Sequence, residues 1–176
     1  MSESLYFITI LPPKKIQEEI TSFKQIIADR FESTHAFNAP PHITLHMPFR
    51  LKKKKEDKLL HCIDDIRNQM SSLSIQLDGF DFFEPRVVFV NVIPSEKLNN
   101  LQGKVVELVK KKLKIYNANY KERPFHPHIT IGFRDLKKSM FYLAKEYFED
   151  KKYNAEFKID TISLLKHDEK VWKLIY

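Results

Sequence analysis

The sequence predicts an α+β fold in which two pseudo-symmetric lobes, each a mainly antiparallel β-sheet with flanking helices, surround a central cleft. Apolar residues switch repeatedly between the two-residue spacing of strands and the longer spacing of helices. The order strand, helix, strand, helix, strand occurs twice, and such an internal repeat indicates two similar lobes. We place the copies at about residues 1–83 and 84–176, interleaved within one domain of 176 residues.

The first half of the chain alternates between strand and helix patterns. Its strands are short apolar or alternating runs, the first of which ends at two prolines. Its helices repeat apolar residues at helical spacing, as Ile16, Ile20 and Ile27 do. Strands are predicted at residues 5–11, 42–49 and 75–83, the last running into a loop, and helices at about residues 13–31 and 59–70.

The second half repeats this order and adds a terminal hairpin. The run from Val87 to Val92 is apolar on both faces, which predicts a central strand. Ser95 is a candidate N-cap for the helix that follows, because its hydroxyl can accept an amide hydrogen bond at the helix start. The remaining predictions are helices over residues 98–108 and 140–147, a strand over residues 128–131, and a hairpin of residues 161–166 and 171–176.

A His-Ile-Thr tripeptide begins the corresponding strand of each half, at His42 and at His128. Because side chains alternate along a strand, each histidine shares a face with its threonine, Thr44 or Thr130, while the isoleucine between them points to the core. One such tripeptide carries little information, since a lone histidine is most often structural. Two copies, each preceded by proline and placed equivalently in a repeat, indicate a shared site in the cleft.

Two histidines and two hydroxyls on facing strands are suited to cleaving a phosphodiester. A neutral imidazole can take a proton from the attacking oxygen and a protonated one can give a proton to the leaving oxygen, since the ordinary histidine pKa is about 6.5. Threonine hydroxyls can donate hydrogen bonds to the non-bridging phosphate oxygens. We therefore predict a site that needs no metal or other cofactor. Its catalytic residues are His42 and His128, and its phosphate-binding residues are Thr44 and Thr130.

The segments Pro41-His-Ile-Thr-Leu and Pro127-His-Ile-Thr-Ile resemble the paired His-x-Thr motifs of the two-histidine (2H) phosphoesterases. This superfamily includes the 2′-5′ RNA ligases and cyclic nucleotide phosphodiesterases. The resemblance extends over essentially the whole chain, and it implies the two-lobed fold, the same four site residues and a cyclic or 2′-linked ribonucleotide phosphodiester as substrate. The run from His46 to Phe49 departs from the aromatic-Leu-Gly turn that often follows the family's first motif.

Residues beside the second motif are further candidates for substrate contact. Arg134 shares strand parity with His128 and can reach a phosphate, or it is a surface arginine with Asp135 as its acidic neighbour. His126 is expected at the rim of the cleft. Phe125 is the best-placed aromatic for stacking on a base, with core packing as the alternative.

The histidines near the first motif leave two alternatives open. His46 shares a face with His42 if the strand stays regular and could then line the cleft, but a surface position at the strand end is the expected one. A zinc site could combine His42, His46, His126 and His128. The sequence disfavours that site, because no carboxylate or thiolate lies close in sequence and the two hydroxyls would go unexplained.

Charge and composition limit the partners. The formal net charge of +7 and the pI of about 9.3 favour an anionic partner, here a nucleotide or RNA phosphodiester. Cys62 is the single cysteine, expected to be buried, and it is compatible with a reducing cytosol. No run has the features of a signal peptide or the length of a membrane span. We expect a cytoplasmic protein without membrane or obligate protein partners.

Three other functions compete with hydrolysis or transesterification of a small phosphodiester. One is 2′-5′ ligation of a larger RNA or the reverse cleavage, which a long basic groove would favour. Another is a nucleotide- or RNA-binding module that keeps the fold without chemistry. A metallohydrolase is the third. The sequence leaves open the physiological substrate, the oligomeric state and which histidine acts as acid.

Overall fold

Residues 2–176, which a computed structural model of the protein describes, form two antiparallel β-sheets and four α-helices. Each sheet has four strands, which confirms the predicted α+β class. The strands are β1 (Glu3–Ile10), β2 (Ile43–Lys52), β3 (Leu73–Phe83), β4 (Val87–Val92), β5 (His128–Gly132), β6 (Asn154–Ile159), β7 (Ser163–Asp168) and β8 (Val171–Leu174). The helices are α1 (Lys14–Phe31), α2 (Glu56–Asn68), α3 (Glu96–Leu113) and α4 (Lys138–Phe148).

The two sheets exchange strands between the halves of the chain. One sheet has the order β2-β1-β7-β8 and the other the order β5-β4-β3-β6. Strand β3 of the first half therefore lies in the second sheet, and the hairpin β7–β8 completes the first sheet. Strand β4 lies between β5 and β3, as its apolar residues predicted. The two motif strands, β2 and β5, lie at equivalent sheet edges and contact each other.

One strand, β6, was not predicted. It pairs with β3 at the edge of the second sheet, from Leu73 opposite Ile159 to Asp78 opposite Asn154. Of its six residues, only Phe157 and Ile159 are buried. Ala155, Phe157 and Ile159 alternate with exposed polar residues, so β6 carries the two-residue spacing of a half-buried strand and could have been predicted from its sequence.

The helices cover the sheets with apolar stripes. Helix α1 buries its predicted isoleucines and also one charged residue, Lys24. Ser95 caps α3 by accepting the amide hydrogen of Leu98 at 3.2 Å, which confirms the predicted N-cap. Within residues 2–176, no helix combines the length and the apolar character needed to cross a lipid bilayer.

The core lies behind the two motifs. Ile43 and Ile129, the central residues of the two tripeptides, are completely buried, as strand alternation predicted. The same buried cluster includes Ile8 of the first sheet and Val90 of the second, together with the fully buried Cys62. Packing of this cluster fixes the backbone that carries each histidine and threonine.

A bulge in β2 follows the first motif. Thr44 lies opposite Thr9 of β1, whereas His46 lies opposite Ile8, so β2 has one extra residue between the two pairs. Thr9 and Ile8 are adjacent and point to opposite faces of the sheet. Their partners therefore do so as well, and His46 points away from Thr44 toward the core.

His46 is a core residue. It is completely buried, its Nδ1 lies 2.9 Å from the carbonyl oxygen of Met47, and its ring packs on Phe49 at 5.0 Å between centroids. Burial lowers its pKa. The predicted surface position of His46, and the face it would share with His42 in a regular strand, are both wrong because the bulge reverses the strand's parity.

Candidate active site

The two motif histidines are held by the same backbone hydrogen bond. Nδ1 of His42 donates to the carbonyl oxygen of Pro40 at 2.7 Å, and Nδ1 of His128 donates to that of His126 at 2.7 Å. A carbonyl oxygen can only accept, so the proton of each neutral ring lies on Nδ1 and Nε2 keeps its lone pair. Each Nε2 is thereby available to exchange a proton with a substrate.

Each histidine also packs against a phenylalanine of the neighbouring strand. The ring centroids of Phe7 in β1 and His42 are 4.9 Å apart, and those of Phe89 in β4 and His128 are also 4.9 Å apart. Phe7 is 3% exposed and Phe89 is fully buried. The ring centroid of Trp172 in β8 lies 4.4 Å from that of Phe7. These aromatic contacts restrict the orientation of both imidazoles.

The pKa of both imidazoles is lowered. For His42 the pKa falls to about 4, chiefly because burial disfavours the charged ring; the Pro40 hydrogen bond opposes this and the positive charges of Lys24 and His128 reinforce it. For His128 the main cause is again burial, opposed by the hydrogen bond to His126 and reinforced by the charge on that residue. The two motif strands, β2 and β5, contact each other, so the two motifs lie at adjoining sheet edges.

The two motif threonines have different neighbours. Thr44 lies opposite Thr9 of β1, and Thr9 lies opposite Ser163 of β7, so three hydroxyl residues form a row across the first sheet. Thr9 is fully buried, and its hydroxyl has no hydrogen-bond partner in the described part of the chain. In the second sheet Thr130 lies opposite Phe89. One threonine thus has a hydroxyl neighbour and the other an aromatic one.

The residues before the second motif lie beside His128. His126 is exposed, with its ring centroid 5.1 Å from that of Phe83 and 6.2 Å from that of His128. Phe125 is half-buried and packs against the core. His126 is therefore open to a ligand, whereas Phe125 has a packing role in addition to any contact with substrate. Substrate contact by either residue stays a prediction.

Arg134 lies beyond the end of β5. A register shift between Thr130 and Gly132 changes the parity of the strand, so Arg134 does not continue the face that carries the motif. Its backbone is left-handed, with φ of 64°, and its guanidinium lies 5.3 Å from the ring centroid of Phe133. The carboxylate of Asp135 binds the segment after α1 instead. Phosphate contact by Arg134 stays a prediction.

Three residues around the site were not predicted. Lys24 does leave a signal, because it falls at helical spacing between Ile20 and Ile27 on the apolar face of α1. Thr9 and Trp172 leave none. Their places beside the motif depend on the pairing of β1 with β2 and with β7, strands that lie far apart in the sequence, and local residue patterns do not reveal such pairing.

The arrangement is chemically suited to proton transfer on both sides of a bound anion. Two Nε2 atoms can each take or give a proton, and two hydroxyls can donate hydrogen bonds to the anion. Among residues 2–176, no three or more His, Cys, Asp or Glu side chains are grouped so as to hold a metal ion.

Comparison with solved structures places the fold. The crystal structure of TT0787 of Thermus thermophilus superposes with a TM-score of 0.72 and 15% identity, covering 98% of this chain and 95% of that one. The structure of E. coli LigT complexed with 3′-AMP also has a TM-score of 0.72, with 20% identity over 99% of this chain and 97% of that one. The two-lobed fold is therefore shared with these proteins.

Comparison of sequences identifies the family. Two proteins that carry the provisional name phosphoesterase, from Geobacillus sp. (strain WCH70) and Geobacillus kaustophilus (strain HTA426), are each 29% identical over 91% of this chain and 86% of their own length. Residues 12–171 match the family model of the 2′-5′ RNA ligase superfamily. The chain belongs to this superfamily of two-histidine phosphoesterases, as the paired motifs predicted.

Proposed function

We propose that this protein is a metal-independent phosphodiesterase that cleaves a cyclic or 2′-linked ribonucleotide phosphodiester. The observation that carries the proposal is the matched anchoring of His42 and His128, which leaves one Nε2 free on each side of a shared site. Thr44 and Thr130 are assigned to the non-bridging phosphate oxygens. The net charge of +7 favours such an anionic substrate.

The proposed reaction has one displacement at phosphorus. Nε2 of one imidazole takes a proton from water as the water oxygen bonds to phosphorus. The bond from phosphorus to the leaving ribose oxygen breaks, and the second imidazole gives its proton to that oxygen. The products are a phosphate monoester and a free hydroxyl, and proton exchange with solvent restores both rings.

We assign the base to His42 and the acid to His128. The ammonium group of Lys24 lowers the pKa of His42 and so keeps that ring neutral, as a base must be. The charge that reinforces the effect of burial at His128 is only that of another imidazole, His126. A bound phosphate favours protonation of both rings, and the ring without a nearby lysine gains the proton more easily.

Named complexes of a structural neighbour support a nucleotide ligand. E. coli LigT has been crystallised with 3′-AMP, with NADP+, with ATP and with phosphate. Each of these ligands is a phosphate or carries one. We infer that the cleft between the two motifs binds a nucleotide through its phosphate.

The test is a phosphodiester panel assayed in EDTA. We expect turnover of 2′,3′-cyclic nucleotides or of a 2′-5′-linked dinucleotide, and a loss of about 10²–10⁴ in rate for His42→Ala and for His128→Ala. His61→Ala is the matched control, because His61 is exposed on α2. Full activity in both motif variants would refute the mechanism, and nucleotide binding without turnover would indicate a binding module.

A second candidate, ligation or cleavage of a longer RNA, is favoured by the segment before the second motif. Tyr116 and Tyr120 are 64% and 62% exposed, and the guanidinium of Arg123 lies 6.0 Å from the ring centroid of Tyr120. The amide of Met47 donates to the carbonyl oxygen of Ala118 at 2.8 Å, which anchors this segment beside β2. Exposed rings next to cations are suited to stacking on unpaired bases.

This candidate is tested by RNA binding. If it is correct, single-stranded RNA binds with steep salt dependence, and Tyr120→Ala weakens RNA binding without changing the turnover of cyclic mononucleotides. Tyr142→Ala is the control, because Tyr142 is an exposed tyrosine on α4. Equal affinity of Tyr120→Ala and wild type for RNA would exclude this surface.

A further inference from the structure

A buried lysine holds the segment that carries the first motif histidine. Lys24 of α1 is 2% exposed, and its Nζ donates to the carbonyl oxygens of Ala36 at 2.8 Å and Ala39 at 2.9 Å. Lysine is almost never this buried without a compensating partner. Ala39 is followed by Pro40, whose carbonyl oxygen accepts the Nδ1 hydrogen of His42. The carbonyl groups that the lysine and the histidine contact therefore belong to consecutive peptide units.

A carboxylate from the other motif's strand holds the start of the same segment. Asp135 follows β5 and accepts hydrogen bonds from the hydroxyl of Ser33 at 2.5 Å and from the amides of Thr34 at 2.9 Å and His35 at 3.1 Å. Burial opposes ionisation, but the hydrogen bonds from Ser33, Thr34 and His35 outweigh it and lower the pKa of Asp135. Asp135 therefore fixes this segment relative to the strand of the second motif.

We propose that Lys24 and Asp135 are positioning residues that together clamp residues 33–40 and so set the place of His42 relative to His128. The cation binds carbonyl oxygens at one end of the segment and the anion binds a hydroxyl and amides at the other. Neither side chain needs to touch the substrate. Their effect on catalysis rests on the function proposed above, whereas their effect on the orientation of His42 does not.

The second motif lacks this clamp. The carbonyl oxygen that holds His128 belongs to His126, in the segment of residues 123–127. In the described part of the chain, no lysine or carboxylate side chain forms a hydrogen bond to that segment. The clamp is thus specific to His42, the histidine that we assign as the base. Proton transfer to this histidine depends on the direction of the Nε2 lone pair.

The test compares Lys24→Met and Asp135→Asn with Lys14→Met, which changes an exposed lysine of the same helix. We expect Lys24→Met and Asp135→Asn to lower kcat by roughly 10- to 100-fold with little change in KM, and Lys14→Met to behave as wild type. If Lys24→Met does not fold, Asp135→Asn tests the clamp alone, because it keeps the size of the side chain. Wild-type kcat in a folded Lys24→Met would overturn the proposal.

Two readouts separate positioning from mere stabilisation. The charged groups facing His42 are Lys24 from α1 and His128 from β5, so Lys24→Met should move the acid limb of kcat/KM to higher pH. The NMR signal of the His42 Nδ1–H should shift or broaden in both clamp variants. This signal needs no substrate, so it tests the clamp even if the phosphodiester panel fails. Unchanged Nδ1–H signals in both variants would contradict the proposal.

Discussion

The two His-Ile-Thr motifs are nearly identical in local geometry and different in their surroundings. Each histidine donates from Nδ1 to a carbonyl oxygen two residues earlier at 2.7 Å, and each lies 4.9 Å from a buried phenylalanine. The segment before the first motif is bound by the buried ammonium of Lys24 and by the carboxylate of Asp135, and among residues 2–176 no such groups bind the segment before the second. The repeat thus supplies two imidazoles of equivalent local geometry, and the charged groups around them differ.

The different charges near the two histidines affect which of the two is protonated. Two identical imidazoles at one site would compete for the same proton, and either could act as base. A fixed positive charge near one of them disfavours its protonation and leaves the other as the acid. Lys24 lies near His42 and provides a positive charge at pH values below its own pKa, which burial lowers to about 8. A difference in charge between two rings of equivalent geometry therefore favours the proposed roles of His42 as base and His128 as acid.

After the histidines themselves, the threonines are expected to show the largest effects. If both hydroxyls bind the phosphate, Thr44→Val and Thr130→Val should each lower kcat/KM by about 10². The substitution keeps the shape of the side chain and removes only the hydroxyl. Steady-state kinetics on a cyclic nucleotide measure both variants. A loss in one variant alone would mean that the phosphate is held asymmetrically.

A smaller effect concerns stability in acid. The pKa of His42 is about 4 in the folded protein and about 6.5 in the unfolded chain, so between these values the unfolded chain binds more protons. The free energy of unfolding should therefore fall as the pH drops from about 6.5 to 4. Urea titrations of His42→Gln should show a weaker fall than wild type. If the free energy of unfolding fell equally with pH in both proteins, His42 would not be buried in neutral form.

The smallest predicted effect concerns Thr9. It lies opposite Thr44 of the first motif, as Phe89 lies opposite Thr130 of the second. Its buried hydroxyl has no partner among the described residues. Thr9→Val should therefore raise the free energy of unfolding by about 1 kcal/mol and leave activity unchanged. Denaturant unfolding and a turnover assay check both points. A loss of activity like that of Thr44→Val would add the hydroxyl of Thr9 to the phosphate site.

Much of this architecture could be predicted because its signals are local. Strand alternation, helical spacing and the N-cap at Ser95 each depend on a few neighbouring residues, and the fold confirms them. The repeated tripeptides identified the family before the pairing of the strands was known. Strand β6 is an exception, because its alternating apolar residues are an equally local signal that the prediction omitted.

The surroundings of the motifs could not be predicted, because they depend on pairing between distant strands. The bulge in β2 that turns His46 into the core is visible only in the register with β1. The hydrogen bond from Ser33 to Asp135 joins residues that are 102 positions apart in the sequence. Lys24 could have been noticed as a charge on an apolar helix face, although its contacts with Ala36 and Ala39 could not.

The assignment of His42 as the base and His128 as the acid can be tested with substrates that have different leaving groups. Departure of a ribose oxygen needs a proton, whereas departure of p-nitrophenolate does not. His128→Ala should lose about 10²–10⁴ in rate on a 2′,3′-cyclic nucleotide and stay close to wild type on a nucleoside p-nitrophenyl phosphodiester. His42→Ala should lose activity on both substrates. Wild-type activity of His42→Ala on either substrate, or an equal loss for His128→Ala on both, would contradict the assignment.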